Sequence, residues 1–270
     1  MKWEIIKKFS AKNKNCFSYS DVIAEYPDKD RSYLSKVLAA MVKAGMLMKL
    51  HRNVYHILPL SADPQTYSLD SRLVAKCIMK GKEYYIAYSS AMHILGLMDQ
   101  PGSKMMIVTN RQMQPSIKII AGKEIHFVYH TYGRFFGYGE MWVTDQEQAM
   151  VSDLEKTIVD AVSKPQLCGG IIAVGKAIYQ SKERTELEKL FYYFARNGSH
   201  VAKKRFLFLS DLLGMKWTSE HERMLKDSGS SISLLDPTGP DQGMKNSRFG
   251  LKINIEANTL MDSIKPQWIT

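Results

Sequence analysis

Phe17-Ser18-Tyr19-Ser20-Asp21-Val22-Ile23-Ala24-Glu25-Tyr26 is followed by Pro27-Asp28-Lys29-Asp30 and then by a helical pattern over residues 31–44, which Gly45 stops. Two short apolar runs come next, residues 46–50 and 54–58, hinged at His51-Arg52-Asn53. The pattern predicts two short helices joined by a tight turn and then a basic-tipped hairpin. That is the order of a winged helix-turn-helix, a module that lays its second helix in the DNA major groove.

Local chemistry supports each piece. Asp30 or Asp28 can cap the second helix by accepting its free N–H groups. Leu34, Val37, Leu38 and Met41 recur at helical spacing and form an inward stripe. Arg31, Ser32, Ser35 and Lys36 fall on the opposite face, and Tyr33 is counted with them as DNA-facing. Arg and Lys can donate to guanine, and Ser to several bases. Lys43 and Lys49 are expected to meet phosphate, and His51, Arg52 and Asn53 to grip the backbone or minor groove. Arg52-Asn53 suits a two-residue turn, because Asn tolerates positive φ. The bland alternative is a small helical domain with an ordinary solvated face.

The chain has 270 residues, enough for one or two domains, and a formal net charge of +10. Residues 1–60 hold 11 Lys/Arg against 5 Asp/Glu, a balance of +6. Residues 61–270 hold 26 against 22, a balance of +4. The smaller part is the more basic, which is the electrostatic footprint of phosphate binding. No apolar run approaches the roughly 20 residues that span a bilayer. The first residues lack the apolar core of a signal peptide; they form an amphipathic helix with Trp3, Ile6 and Phe9 near one face. A cytoplasmic protein with no membrane partner is expected. Cys16, Cys77 and Cys168 are odd in number and widely spaced, and read as reduced core thiols. A redox switch is the alternative.

Ser61-Ala62-Asp63-Pro64-Gln65-Thr66 breaks the pattern. It predicts a linker over 61–68 between a DNA-binding domain (1–60) and a larger domain (69–270). Helices are expected over 69–79 and up to residue 97, the second capped by Ser89 or Ser90. β-rich runs follow at 105–109, 117–120, 125–129 and 141–144, with Ala121-Gly122-Lys123 as a hairpin turn. Ser152-Asp153-Leu154-Glu155 reads as a capping box opening a helix. Further helices are expected over 170–180, 183–196 and 201–213, a loop over 236–247 and a last strand over 249–255. The fold class is therefore α+β: an N-terminal winged helix-turn-helix, then a larger α+β domain with a small, mostly antiparallel sheet and several helices.

Catalytic signatures are weak. Gly170-Ile171-Ile172-Ala173-Val174-Gly175-Lys176-Ala177 nearly fits a phosphate-binding loop, but Ala177 stands where a hydroxyl would hold Mg²⁺, and the interior is bulky. A buried helix from near Gly170 is the reading. A nucleotidyltransferase needs a Gly-Ser turn and two metal-holding acids. Gly102-Ser103 has no acidic pair, and Gly229-Ser230 is followed only by Asp236. His126 and His130 would sit roughly 13 Å apart along a strand, and no cluster has zinc spacing. No catalytic residue, metal or cofactor is expected, and the chain is read as a non-enzyme. Lys203-Lys204-Arg205 reads as a solvated helix face or as a second nucleic-acid contact.

Three segments beyond the linker carry a family likeness: Tyr85-Ile86-Ala87-Tyr88-Ser89-Ser90-Ala91-Met92-His93-Ile94-Leu95-Gly96-Leu97, Val151-Ser152-Asp153-Leu154-Glu155-Lys156-Thr157-Ile158-Val159-Asp160, and Lys164-Pro165 with Cys168-Gly169-Gly170-Ile171. With the winged helix ahead of them, the chain resembles the AbiE-type (AbiEi) antitoxins of type IV toxin–antitoxin systems over most of residues 15–255. The wing tip of that family is often Arg-Gly and is Arg52-Asn53 here, so the likeness does not extend to particular wing contacts. It implies a phage-defence protein whose winged helix binds inverted repeats of double-stranded DNA in its own promoter and represses the operon. The C-terminal domain would counteract a nucleotidyltransferase toxin encoded beside it, without needing a stable complex. The alternative is a one-component winged-helix regulator whose second domain senses a ligand.

Overall fold

A computed structural model describes residues 1–100 and 102–265. Pro101 and residues 266–270, all assigned to the larger expected domain, lie outside the described residues. The chain opens with α1 (Lys2–Ser10), β1 (Cys16–Ser18), α2 (Tyr19–Glu25), α3 (Arg31–Lys43), β2 (Leu47–His51) and β3 (Val54–Ile57). The strands pair antiparallel in the order β1-β3-β2. The sequence pattern puts Phe17 and Ser18 in the first helix; they instead pair with Tyr55 and Val54. Ser18 then caps α2 through a reciprocal box with Asp21. Asp30, not Asp28, caps α3 by accepting the Tyr33 N–H at 2.8 Å. Leu34, Leu38 and Met41 are buried against Ile5, Phe9, Phe17 and Val22, with Val37 packed at the margin. Trp3 is not part of that face: it is 55 % exposed, and Ile5 with Phe9 anchors α1. Asn53 has φ 61°, the left-handed conformation the two-residue turn requires. Gly45 (φ 67°) ends α3 where a Cβ would collide with the Pro64 ring.

Beyond the linker come α4 (Ser71–Ile78), β4 (Tyr84–Ile86), α5 (Tyr88–Ile94), β5 (Lys104–Thr109), β6 (Ile117–Ile120), β7 (Lys123–Tyr129), β8 (Tyr138–Thr144), β9 (Glu147–Ser152) and α6 (Leu154–Ser163). Then follow α7 (Ile171–Ser181), α8 (Leu187–Asn197), α9 (His200–Leu212), α10 (Ser219–Lys226), β10 (Ser233–Leu234), β11 (Met244–Asn246), β12 (Leu251–Ile253) and α11 (Ala257–Ile264). The chain is α+β. Six strands form one sheet in the order β6-β7-β5-β4-β9-β8. Three pairings are antiparallel; β5 with β7 and β4 with β9 are parallel. Strands β10, β12 and β11 form a separate small sheet, so the expected loop over 236–247 contains a strand. β6 is an outer strand with Ile117 and Ile119 exposed on either side of Lys118.

Two expected caps move. The Ser90 hydroxyl accepts the Met106 N–H at 2.9 Å and donates to the Lys104 carbonyl at 3.2 Å, tying α5 to β5 rather than capping it. α6 is capped by Asp153, which accepts the Lys156 N–H at 2.8 Å. Ser152 pairs instead with Thr157 at 2.7 Å, and Glu155 with Lys189 at 2.8 Å.

α6 also carries a sealed ion pair, Lys156 with Asp160, at 0 % and 1 % side-chain exposure. Tyr85 on β4 donates to Asp160 at 3.3 Å, and its hydroxyl lies 3.0 Å from His130 Nδ1. The Tyr88 hydroxyl lies 2.8 Å from His130 Nε2. Burial pushes His130 down to about 4, so its ring is neutral, and lifts both phenols well above their ordinary value.

Because folding depresses the His130 pKa, the unfolded chain binds its proton more readily. Stability should therefore fall as pH drops from 6.5 to about 4, by roughly 3 kcal/mol in total. Urea unfolding at successive pH values measures this, and His130→Asn should flatten that part of the profile. Asp160→Ala would strand the Lys156 charge and should cost roughly 3–5 kcal/mol, read as a lowered urea midpoint or outright loss of the folded circular-dichroism signal.

Candidate nucleic-acid interface

α3 buries one stripe and exposes the other. Arg31, Ser32, Tyr33, Ser35 and Lys36 are all exposed on its first two turns. The Tyr19 hydroxyl donates to the Arg31 carbonyl at 2.6 Å and fixes where the helix starts. Lys43 in the last turn, Lys49 on β2 and the tip residues His51, Arg52 and Asn53 are exposed as well. All ten candidate residues are thus on the surface: six on α3, three at the hairpin tip, and Lys49 on β2.

Three of the nearby acids already have partners. Glu25 pairs with Lys8 at 3.0 Å and Lys12 at 2.7 Å, Asp21 with Lys80 at 2.6 Å, and Asp30 is committed to the α3 cap. Among the described residues, Arg31, Lys36, Lys43, Lys49 and Arg52 make no ion pair. A row of uncompensated cations repels itself and attracts polyanions. The β2–β3 hairpin tip registers that field. Partial burial and then Lys118, Arg52 and Lys82 hold His51 below its ordinary pKa. Lys118 lies on β6 and Lys82 precedes β4, so the basic surface continues onto the larger unit. Sequence spacing gives no sign of these two residues, because only the tertiary fold brings them to the tip.

The small unit is docked rather than tethered. Asn15 donates to Glu147 at 3.0 Å, and Leu50 on β2 is buried in the apolar cluster that contains Leu73, Val74 and Ile86. Cys16 on β1 and Cys77 on α4 form a disulfide, with Cα atoms 5.6 Å apart. This corrects the expectation of three reduced thiols. The partners are 61 residues apart in sequence, and spacing carries no information about such a pair. Cys168 is a free thiol, buried, with its pKa pushed far up by that burial. The two bonded sulfurs and a ring nitrogen of His56 lie within 4.8 Å of one another. That grouping also escapes any search for ligand spacing.

Other basic and loop motifs resolve differently. Lys204 and Arg205 are neither a solvated face nor a nucleic-acid contact, since both are buried. Lys204 donates to the Ser231 carbonyl, and Arg205 to the carbonyls of Leu234, Leu235 and Val162. Residues 171–177 are helical, and the Asp236 carboxylate accepts the Ile171 N–H at 3.1 Å, at the helix start a phosphate would need. His126 is paired with Glu124 at 2.6 Å. Among the described residues, no helix is long and apolar enough to cross a membrane.

No protein-family model matches the chain, and no curated protein matches it. Its fold is similar to that of the Rv2827c protein of Mycobacterium tuberculosis, known from a crystal structure, with a TM-score of 0.66 over 92 % of this chain and 89 % of that one. Sequence identity is 11 %, so the two share an architecture, and the likeness carries no more than that.

Proposed function

We propose that residues 1–60 are a winged helix-turn-helix that binds double-stranded DNA, and that the chain is a cytoplasmic, non-enzymatic antitoxin of type IV. It represses its own operon and counteracts a nucleotidyltransferase toxin. The observation that carries the DNA-binding reading is the exposed, unpaired cationic face of α3 beside a basic two-residue wing tip. Arg31 and Lys36 are placed to donate to base edges, with Ser32, Tyr33 and Ser35 flanking them. Lys43 and Lys49 neutralise phosphate, and His51, Arg52 and Asn53 hold the groove edge. The antitoxin assignment rests on the residue likeness at 85–97, 151–160 and 164–171. Co-expression with the neighbouring nucleotidyltransferase tests it: the chain should restore growth, and continued toxicity would refute the assignment.

Affinity for the native upstream duplex can be followed by fluorescence anisotropy. Arg31→Ala should lose roughly 1–3 kcal/mol on the specific site and little on scrambled DNA. Lys43→Ala should weaken both alike and lower the salt slope by about one. An unchanged footprint in an Arg31→Ala/Lys36→Ala double variant would remove this face from consideration.

His51 gives a separate pH signature. Its pKa is below 6.5 in the free chain because Lys118, Arg52 and Lys82 add to the effect of burial. Phosphate placed among those cations raises it, so binding takes up a proton. Affinity should therefore strengthen as pH falls through 6.5, and His51→Gln should abolish that dependence.

A further inference from the structure

Cys16 and His56 are direct cross-strand partners on β1 and β3, with Sγ and Nδ1 3.5 Å apart. Cys77 reaches them from α4, on the larger unit, and the Cα separation of 5.6 Å suits a disulfide. His56 is buried, and its Nε2 lies 3.4 Å from the Tyr67 hydroxyl, with the two rings stacked at an interplanar angle of 6°. In the tautomer whose Nε2–H donates to Tyr67, Nδ1 turns its lone pair to Cys16, with the Asn15 carbonyl as a further polar neighbour of the ring. A disulfide sulfur has no proton to offer that lone pair, whereas a thiol does. The imidazole is therefore placed for the reduced state as much as for the oxidised one, which a permanent staple would not need. Access is graded too: Cys16 is half-buried, while Cys77 is 2 % exposed.

We propose that Cys16, His56 and Cys77 are a reversible thiol–disulfide site, oxidised by small-molecule disulfides, that locks the DNA-binding unit onto α4. The Cys16 thiol gives its proton to His56 Nδ1, and its sulfur attacks one sulfur of the incoming disulfide. That S–S bond breaks, a mixed disulfide forms on Cys16, and the first small thiolate takes the proton from His56. The Cys77 thiol then gives its proton to the same nitrogen and attacks the Cys16 sulfur. The second small thiolate leaves and is protonated in turn. In balance, two cysteine thiols and one small disulfide become the Cys16–Cys77 disulfide and two small thiols. Reduction by thiols runs the same exchange backward.

The closed loop of 61 residues encloses α2, α3, β2 and β3, the whole reading surface. Opening the bond leaves the linker and non-covalent contacts to hold that surface beside Lys82 and Lys118, among them Leu50, Met48 and Val54 in the apolar cluster, Asn15–Glu147 and Asp21–Lys80. Resting on the DNA-binding reading, the consequence is that the oxidised chain, being pre-organised, binds its duplex about tenfold tighter than the reduced one.

Full-length protein equilibrated in graded mixtures of reduced and oxidised glutathione, then alkylated and weighed intact, tests the site. Two thiols should disappear together and return on reduction, with Cys168 alkylated only after denaturation. His56→Gln should fold and reach the same end point at least about tenfold more slowly. The proposal is overturned if all three thiols persist, if only glutathione adducts accumulate, or if His56→Gln reacts at the parental rate. It is equally overturned if dithiothreitol opens the bond only in denaturant, or if the reduced protein retains one zinc through buffer exchange. Anisotropy with the upstream duplex reads the consequence, and a Cys16→Ser/Cys77→Ser variant should ignore the oxidant. Cooperative thiol chemistry with no duplex binding by either form would sink the DNA-binding reading and leave the site standing.

Discussion

A lysine and an aspartate one helical turn apart on α6, both closed off from water, set the terms for the larger unit. Such a pair is costly to bury and tolerable only with good geometry and further polar partners. Here Tyr85 reaches Asp160 from β4, and His130 joins Tyr85 to Tyr88. Phe136 offers its ring face to the Lys156 ammonium at 4.8 Å. A shift of one residue in β4 or one turn in α6 would keep the two charges together but leave Asp160 without the Tyr85 hydroxyl and Lys156 without the Phe136 ring. The network thus pins a central strand, α5 and α6 to a single arrangement. Because β4 and β9 are neighbours in the sheet, and Glu147 on β9 holds both Asn15 and Lys76, the placement of the small basic unit follows from it.

The features legible in the sequence are those fixed over a few residues. The α3 stripe, its Asp30 cap, the Gly45 stop and the Arg52-Asn53 turn all depend on near neighbours, and each stands where periodicity and turn chemistry put it. β1 was illegible, because three residues leading into a helix show no alternation and earn strand geometry only from β3. The central strands β4 and β9 were weak for a similar reason: Tyr84–Ile86 is buried on both faces, and Glu147–Ser152 begins with polar residues. At α6 the local cue pointed to Ser152 when Asp153 was the better acceptor.

Charge was legible in total but not in placement. Lys204 and Arg205 look on paper like their exposed counterparts on α3, yet they satisfy backbone carbonyls inside the fold. Lys82 and Lys118 look unremarkable and end up beside His51 at the β2–β3 hairpin tip. The cysteines make the same point: only a three-dimensional arrangement distinguishes a bonded pair from core thiols. Local rules locate the small unit's surface; long-range contacts decide what surrounds it.

The outer strand β6 has one further bearing on behaviour in solution. Among the described residues no strand pairs with its outer edge, and Ile117 and Ile119 make that edge apolar. Lysine on an edge strand discourages sheet-to-sheet self-association between molecules. Lys118 therefore serves as a gatekeeper for colloidal behaviour as well as a contributor to the local potential. Neutralising it would leave a bare ribbon that invites another chain to add to the sheet.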